Sequence, residues 1–137
     1  MVKINLSVIY KNSKMIERYI FASLLFFVFD GLFLWLNRIH FQNQVINVQR
    51  VVIQPNYKAI IATYVFLLSG LCYFIIRTHR SVLDAFLLGA LIYGVFECTN
   101  MGIFKKWELK TVLMDTLWGG ILFAGVTQLT YSFFSRG

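Results

Sequence analysis

Six carboxylates are all the acid in this chain of 137 residues, and four of them, Asp30, Asp84, Glu97 and Asp115, fall inside long apolar runs. A carboxylate in hydrocarbon costs at least a few kcal/mol, so it faces a partner, a cavity or the interior of a helix bundle. Asp84 has a local use. It stands two residues into its run, where it can pair with Arg80 at i,i+4 or favour the first turn of a helix. The other three have no such local explanation. At 1.5 Å per helical residue, Asp30 lies roughly 9 Å, Glu97 roughly 10 Å and Asp115 roughly 5 Å inside the ends of their runs. If the runs cross a membrane in sequence, these three ends share one face. Three carboxylates from three helices then occupy one half of the bilayer.

Their neighbours are polar. Thr99 and Asn100 follow Glu97, Thr111 and Thr116 flank Asp115, and Trp118 shares the helical face of Asp115 and can offer an indole N–H. Trp107 and Thr111, in and beside the following connection, are placed to cover such a site. The plain structural reading is a hydrogen-bonded network that keeps the helices in register, with the acids protonated or paired to Lys and Arg. The functional reading is a polar cavity for a cation, a proton or a small solute. Catalysis has little support: the chain has no H-E-x-x-H, no G-x-S-x-G and no phosphate-binding loop. No catalytic residue is therefore assigned and no cofactor is expected. Three carboxylates with Asn100 could hold a hard cation such as Mg²⁺ or Ca²⁺, though nothing in the spacing selects a metal. His40 and His79 fall in connections on opposite faces, and Cys72 and Cys98 read as small apolar residues in different spans.

Four apolar runs must position these groups, at about 19–36, 59–76, 82–104 and 112–134. Each is long enough for the ~20 helical residues that cross about 30 Å of hydrocarbon. Only helices satisfy the backbone there, and the runs lack the alternation of a barrel strand. The expected fold is an all-α integral membrane four-helix bundle, antiparallel, with both termini on the same side. Residues 1–18 form a basic N-terminal segment ahead of one membrane domain at 19–136. The first run has no small-x-small cleavage site and an acid in its middle, so it is expected to remain as a span. Residues 77–81 and 105–111 are short connections, making their flanking spans neighbours. Residues 37–58 are longer, and their stretch Gln44–Ile53, without a clean period, is expected on the bilayer surface as a helix or extended strip. Val2, Ile4, Leu6 and Val8 alternate as an extended segment does. Glycines at 70, 89, 94, 119, 120 and 125 mark expected close approaches between helices.

Composition agrees with a membrane protein: 58% of residues are hydrophobic and 14% charged, far from the balance of a soluble domain. The net charge of +7 would point to nucleic acid in a soluble protein. Here the cations sit between the apolar runs, so they read as headgroup anchors and no nucleic acid is expected. Lys3, Lys11, Lys14, Arg18, Arg77, Arg80 and Arg136 fall on one face, and Arg38, Arg50, Lys58, Lys105, Lys106 and Lys110 on the other. Seven against six sets no orientation.

The run Gly89 to Gly120, GALIYGVFECTNMGIFKKWELKTVLMDTLWGG, carries a resemblance. It resembles a family of small four-span bacterial membrane proteins known only as a domain of unknown function. That family shows G-A-L, then Y-D-L-T-N, a connection with Trp, and a span opening V-D-x-x-W-G. The matching positions are Gly89, Ala90, Glu97, Thr99, Asn100, Trp107, Asp115, Trp118 and Gly119. FVFDGLFL, Phe27 to Leu34, is similar to the family's L-D-x-x-W-L. The chain departs from the pattern with Glu97 in place of Asp, and with Phe33 in place of Trp, which removes an indole beside Asp30 unless Trp35 substitutes. The resemblance implies the four-span fold and no activity. A short symmetry accompanies it: Asp30-x-x-Phe33 and Asp115-x-x-Trp118 run in opposite directions through the membrane, as inverted repeats do.

The leading expectation is a small transport or binding protein with an intramembrane carboxylate site at Asp30, Glu97, Thr99, Asn100, Asp115 and Trp118. It would act as a homo-oligomer or with a partner membrane protein, in a bacterial inner membrane or a viral or cellular one. The alternative is a structural or assembly protein, a subunit of a larger membrane complex or of a virion's internal membrane and its shell. A third is a lipid-acting membrane enzyme.

Overall fold

The computed structural model describes residues 5–135. Among these, five helices follow one another: α1 (Leu6–Leu36), α2 (Arg38–Gln49), α3 (Tyr57–Ile76), α4 (Val82–Ile103) and α5 (Leu109–Phe134). All but α2 are long and apolar enough to cross a membrane. At 31 residues α1 is about 46 Å long, well over the ~30 Å of hydrocarbon. Its surplus is the stretch bearing Lys11, Lys14, Glu17 and Arg18.

The helix boundaries follow local chemistry. Asn5 starts α1 by accepting a hydrogen bond from the Ser7 amide, Asn56 starts α3 through the Ala59 amide, and Ser81 starts α4 through the Asp84 amide. Leu6 and Val8 are therefore helical rather than part of an extended strip, because a side-chain cap outweighs a weak alternation; Val2, Ile4, Lys3 and Arg136 lie outside the described residues. Asp84 stands in the first turn of α4, where its charge suits the helix dipole. Pro55 precedes α3, where its missing N–H costs nothing. Residues 44–53 divide: Gln44 to Gln49 belong to α2, which ends as Arg50 turns left-handed (φ 64°), and the rest lie outside any helix or strand.

The last six residues of α3, Leu71–Ile76, widen into a π-helix. The Arg77 amide reaches back five residues to Cys72 O (2.8 Å), and the Arg80 amide does so to Ile75 O (2.9 Å). Tyr131 of α5 brings its hydroxyl to Ile75 O (3.1 Å) and Arg80 O (2.9 Å), supplying a donor that the irregular backbone needs. This π segment is where α3 packs on α1, α4 and α5. Leu71, Ile75 and Ile76 are buried there with Ala22, Phe26, Ala85, Leu122, Phe123 and Val126.

The tightest pairing is α4 with α5. A Cβ on Gly89 would collide with the Gly119 carbonyl, one on Gly119 with the Tyr93 ring, and one on Gly120 would come within 2.7 Å of Phe86. Gly94 faces Thr116 at 3.3 Å. Small residues let two backbones approach, which raises the dispersion contact that holds helices together in lipid. Gly125 meets nothing within 4 Å and Gly70 only Ile92 at 4.0 Å, so neither makes the close approach expected of it. Both cysteines are free thiols.

Candidate functional site

Away from its π segment, α3 stands off from α4 and leaves a cavity of about 620 Å³. Ile60, Thr63, Tyr64 and Leu67, spaced i, i+3, i+4, i+7, form one wall. Ile92, Tyr93 and Phe96 of α4 form the other. Phe41, Ile53 and Trp107 lie at the end near the connections. Asp30, Glu97 and Asp115 also line it, and all three are buried, at 5%, 1% and 8% exposure. Carboxyls from α1, α4 and α5 thus open onto one mostly apolar space.

Aromatic side chains hold the carboxyls. Asp30 receives a donor on each oxygen: the Tyr64 hydroxyl at 2.6 Å and the Trp118 indole N–H at 3.0 Å. Glu97 receives the Trp107 indole N–H at 2.7 Å on one oxygen. Donation from ring N–H and phenol groups gives partial compensation for a buried carboxyl while keeping the surroundings apolar. No lysine or arginine among the described residues donates to these three acids. The Asp115 and Glu97 carboxyls lie beside one another at the cavity. Two carboxyls meet in that way only with a proton or a cation between them. Among the described residues, no group of three His, Cys, Asp or Glu side chains is arranged to hold a metal ion. The cluster is not a ready-made Mg²⁺ or Ca²⁺ cage.

The indole question at Asp30 is settled by tertiary packing. Trp35 is 59% exposed, away from the cavity. The donor comes from Trp118 on α5, and Phe33 stacks on that indole with centroids 4.4 Å apart and planes 5° from parallel. The two short motifs Asp30-x-x-Phe33 and Asp115-x-x-Trp118 therefore touch in space. Of the remaining residues singled out by sequence, Thr99 is exposed and returns its hydroxyl to Val95 O at 2.6 Å. Asn100 is half-buried, and its carbonyl accepts the Phe104 amide where α4 ends. Neither lines the cavity.

Thr111 takes part in a second polar cluster that sequence reasoning missed. Gln44 of α2 is 2% exposed. Its amide N–H donates to Lys106 O (2.9 Å), while its carbonyl accepts from the Glu108 amide (3.2 Å) and the Thr111 hydroxyl (2.9 Å). His40 Nε2 completes the set at 2.9 Å from the Thr111 hydroxyl. The Glu108 side chain does not cap α5; Gln44, from a distant helix, accepts the backbone N–H of this N-cap residue, as an N3 side chain does in a capping box. Through this cluster α2 holds the α4–α5 connection and Trp107 over the cavity's end. Tyr64 was missed as well. Its only sequence signal was a phenol in an uncharged span, which has meaning only once an acid on another helix is known to face it.

The family model for predicted membrane proteins DUF2177 matches residues 15–132, so the chain belongs to that family and is a multi-pass membrane protein. No curated protein and no solved structure matches the chain.

Proposed function

We propose that this member of the DUF2177 family is a small transport or binding protein that takes a cation, a proton or a polar solute at Asp30, Glu97 and Asp115. One observation carries the reading: three buried carboxyls from three helices line a single cavity, and their donors among the described residues are aromatic. A network built only to fix helix register would close on itself. This one leaves Asp115 opposite another acid, beside open space. A cation that arrives there displaces the proton between the two carboxyls, and a departing cation lets a proton return.

The wider arrangement follows the same logic. Gly89 meets Gly119 while Gly94 meets Thr116, so α4 and α5 run in opposite senses. With four spans in alternation, both termini share a face and the cavity lies in the opposite leaflet. Asp30, Glu97 and Asp115 form the site, with Tyr64, Trp107 and Trp118 orienting them. The chain works as an oligomer, because four helices enclose little volume.

The test is reconstitution in liposomes with a pH-sensitive dye inside. Proton or alkali-cation flux above empty vesicles is expected, and Asp115→Asn and Glu97→Gln should each reduce it at least tenfold while circular dichroism is unchanged. No flux and no proton release on cation addition from the folded wild-type chain would overturn the reading in favour of an assembly role.

A further inference from the structure

The cavity has two chemistries, and each constrains what could fill it. The acceptor oxygens can be followed one by one. Both oxygens of Asp30 and one of Glu97 already receive a donor. Apart from a proton shared between the two carboxyls, the second oxygen of Glu97 and both of Asp115 receive no N–H or O–H donor from the described residues and face the cavity. Their unmet need is for N–H or O–H groups from outside the chain, with positive charge favoured by the two facing carboxyls.

The walls ask for something else. Ile60, Leu67, Ile92 and Phe96 are hydrocarbon, and Ile60 and Phe96 remain 41% and 58% exposed at the outer edges of α3 and α4. Both helices cross the membrane, so the gap between them faces lipid tails. Phe41 and Trp107 line the end near the aqueous face. A volume of about 620 Å³ falls within the usual range of small-molecule sites, which is about 300–1,000 Å³. A bare inorganic cation would leave the apolar part unfilled, and the acids are not set out as a metal cage.

We propose that this cleft binds a lipophilic primary amine that enters sideways from the bilayer. Its ammonium sits on Glu97 and Asp115, and its hydrocarbon body lies between α3 and α4. A primary ammonium carries three N–H donors and no acceptor, which matches three open oxygens and replaces the proton between the carboxyls. An alcohol brings a single donor, and a quaternary ammonium brings charge without any. The inference rests on the reading of the carboxyl cluster as a cation site and narrows it to one class of ligand.

The experiment uses the full chain in phosphatidylcholine nanodiscs, a lipid without a primary amine, with dodecylamine as probe and tryptophan fluorescence as readout. Dodecylamine is expected to bind saturably, at least tenfold tighter than dodecanol, dodecyltrimethylammonium or propylamine. Glu97→Gln and Asp115→Asn should each weaken it at least tenfold. Ile60→Trp, which keeps every carboxyl and fills the wall, guards against misfolding of the acid variants and should weaken it equally. Equal binding of dodecanol or the quaternary ion, or unchanged binding by Ile60→Trp, would overturn the proposal. Acid-dependent proton flux without amine binding would sink this inference alone. Absence of both would sink the cation-site reading with it.

Discussion

The two sides of α4 are built on opposite plans. Toward α5 it presents Gly89 and Gly94, and the two backbones come together along Gly119 and Gly120. Toward α3 it presents Ile92 and Phe96, and the helices stay apart around a cavity. Lipid tails are as apolar as leucine, so burial in itself does not favour one helix contact over another. Close packing then depends on shape, and Gly89 and Gly94 are both on the α5 side. The bulky side leaves a cleft, and the acids sit where that cleft reaches α1 and α5. A rigid pair thus carries two of the carboxyls, Glu97 and Asp115, while α3 leans on the bundle through its π segment.

That contrast can be broken most severely at its tight side. Gly89→Leu pushes a side chain into the Gly119 carbonyl and the Phe123 Cβ. It should cost about 3 kcal/mol or more, read as a loss of thermal stability in detergent; a melting temperature like the wild type's would show the seam to be loose. Next come the aromatic donors. Trp118→Phe and Tyr64→Phe each leave one buried oxygen of Asp30 without a donor, for about 1–3 kcal/mol. Restoration of most of that loss in a Trp118→Phe, Asp30→Leu pair would confirm that the penalty belongs to the stranded acid.

Gln44→Leu should have an effect of similar or smaller size, about 1–2 kcal/mol, and a local one. It frees the Glu108 amide and the Lys106 carbonyl, so hydrogen exchange should rise at the start of α5 and stay unchanged at Gly119. Uniform exchange along α5 would deny α2 its clamping role. Smallest of all is Gly125→Ala, on the same helix as Gly119 but with nothing within 4 Å. It should shift stability by less than about 0.5 kcal/mol, or raise it through helix propensity. Gly119→Ala, against the Tyr93 ring, should be clearly worse; equal effects at the two glycines would mean that the seam does not depend on close approach.

Much of this was open to reading from residue order. The four apolar runs and the seclusion of Asp30, Glu97 and Asp115 are all matters of one residue and its near neighbours. The glycines were legible as a class but not individually, since Gly89 and Gly125 look alike until a neighbouring helix is in place. Gln44 escaped for a different reason. It lies in a polar helix with no apolar stripe, and its burial comes from a connection more than sixty residues later. The missing indole at Asp30 was posed by sequence as a question about Trp35, the nearest one along the chain. The answer was Trp118, the nearest one in space.

Sequence alone determined that the chain has four runs long and apolar enough to cross a membrane, because hydropathy and helix length are local quantities weighed against the thickness of the bilayer. It determined also which charges are costly, because a carboxylate's penalty depends on the run around it. Tertiary structure decided what each costly group meets: two aromatic donors for Asp30, one for Glu97, and for Asp115 another acid and an open cleft. Those partners follow from how closely each pair of helices approaches. That distance is set jointly by side chains on two elements, so neither run of sequence contains it.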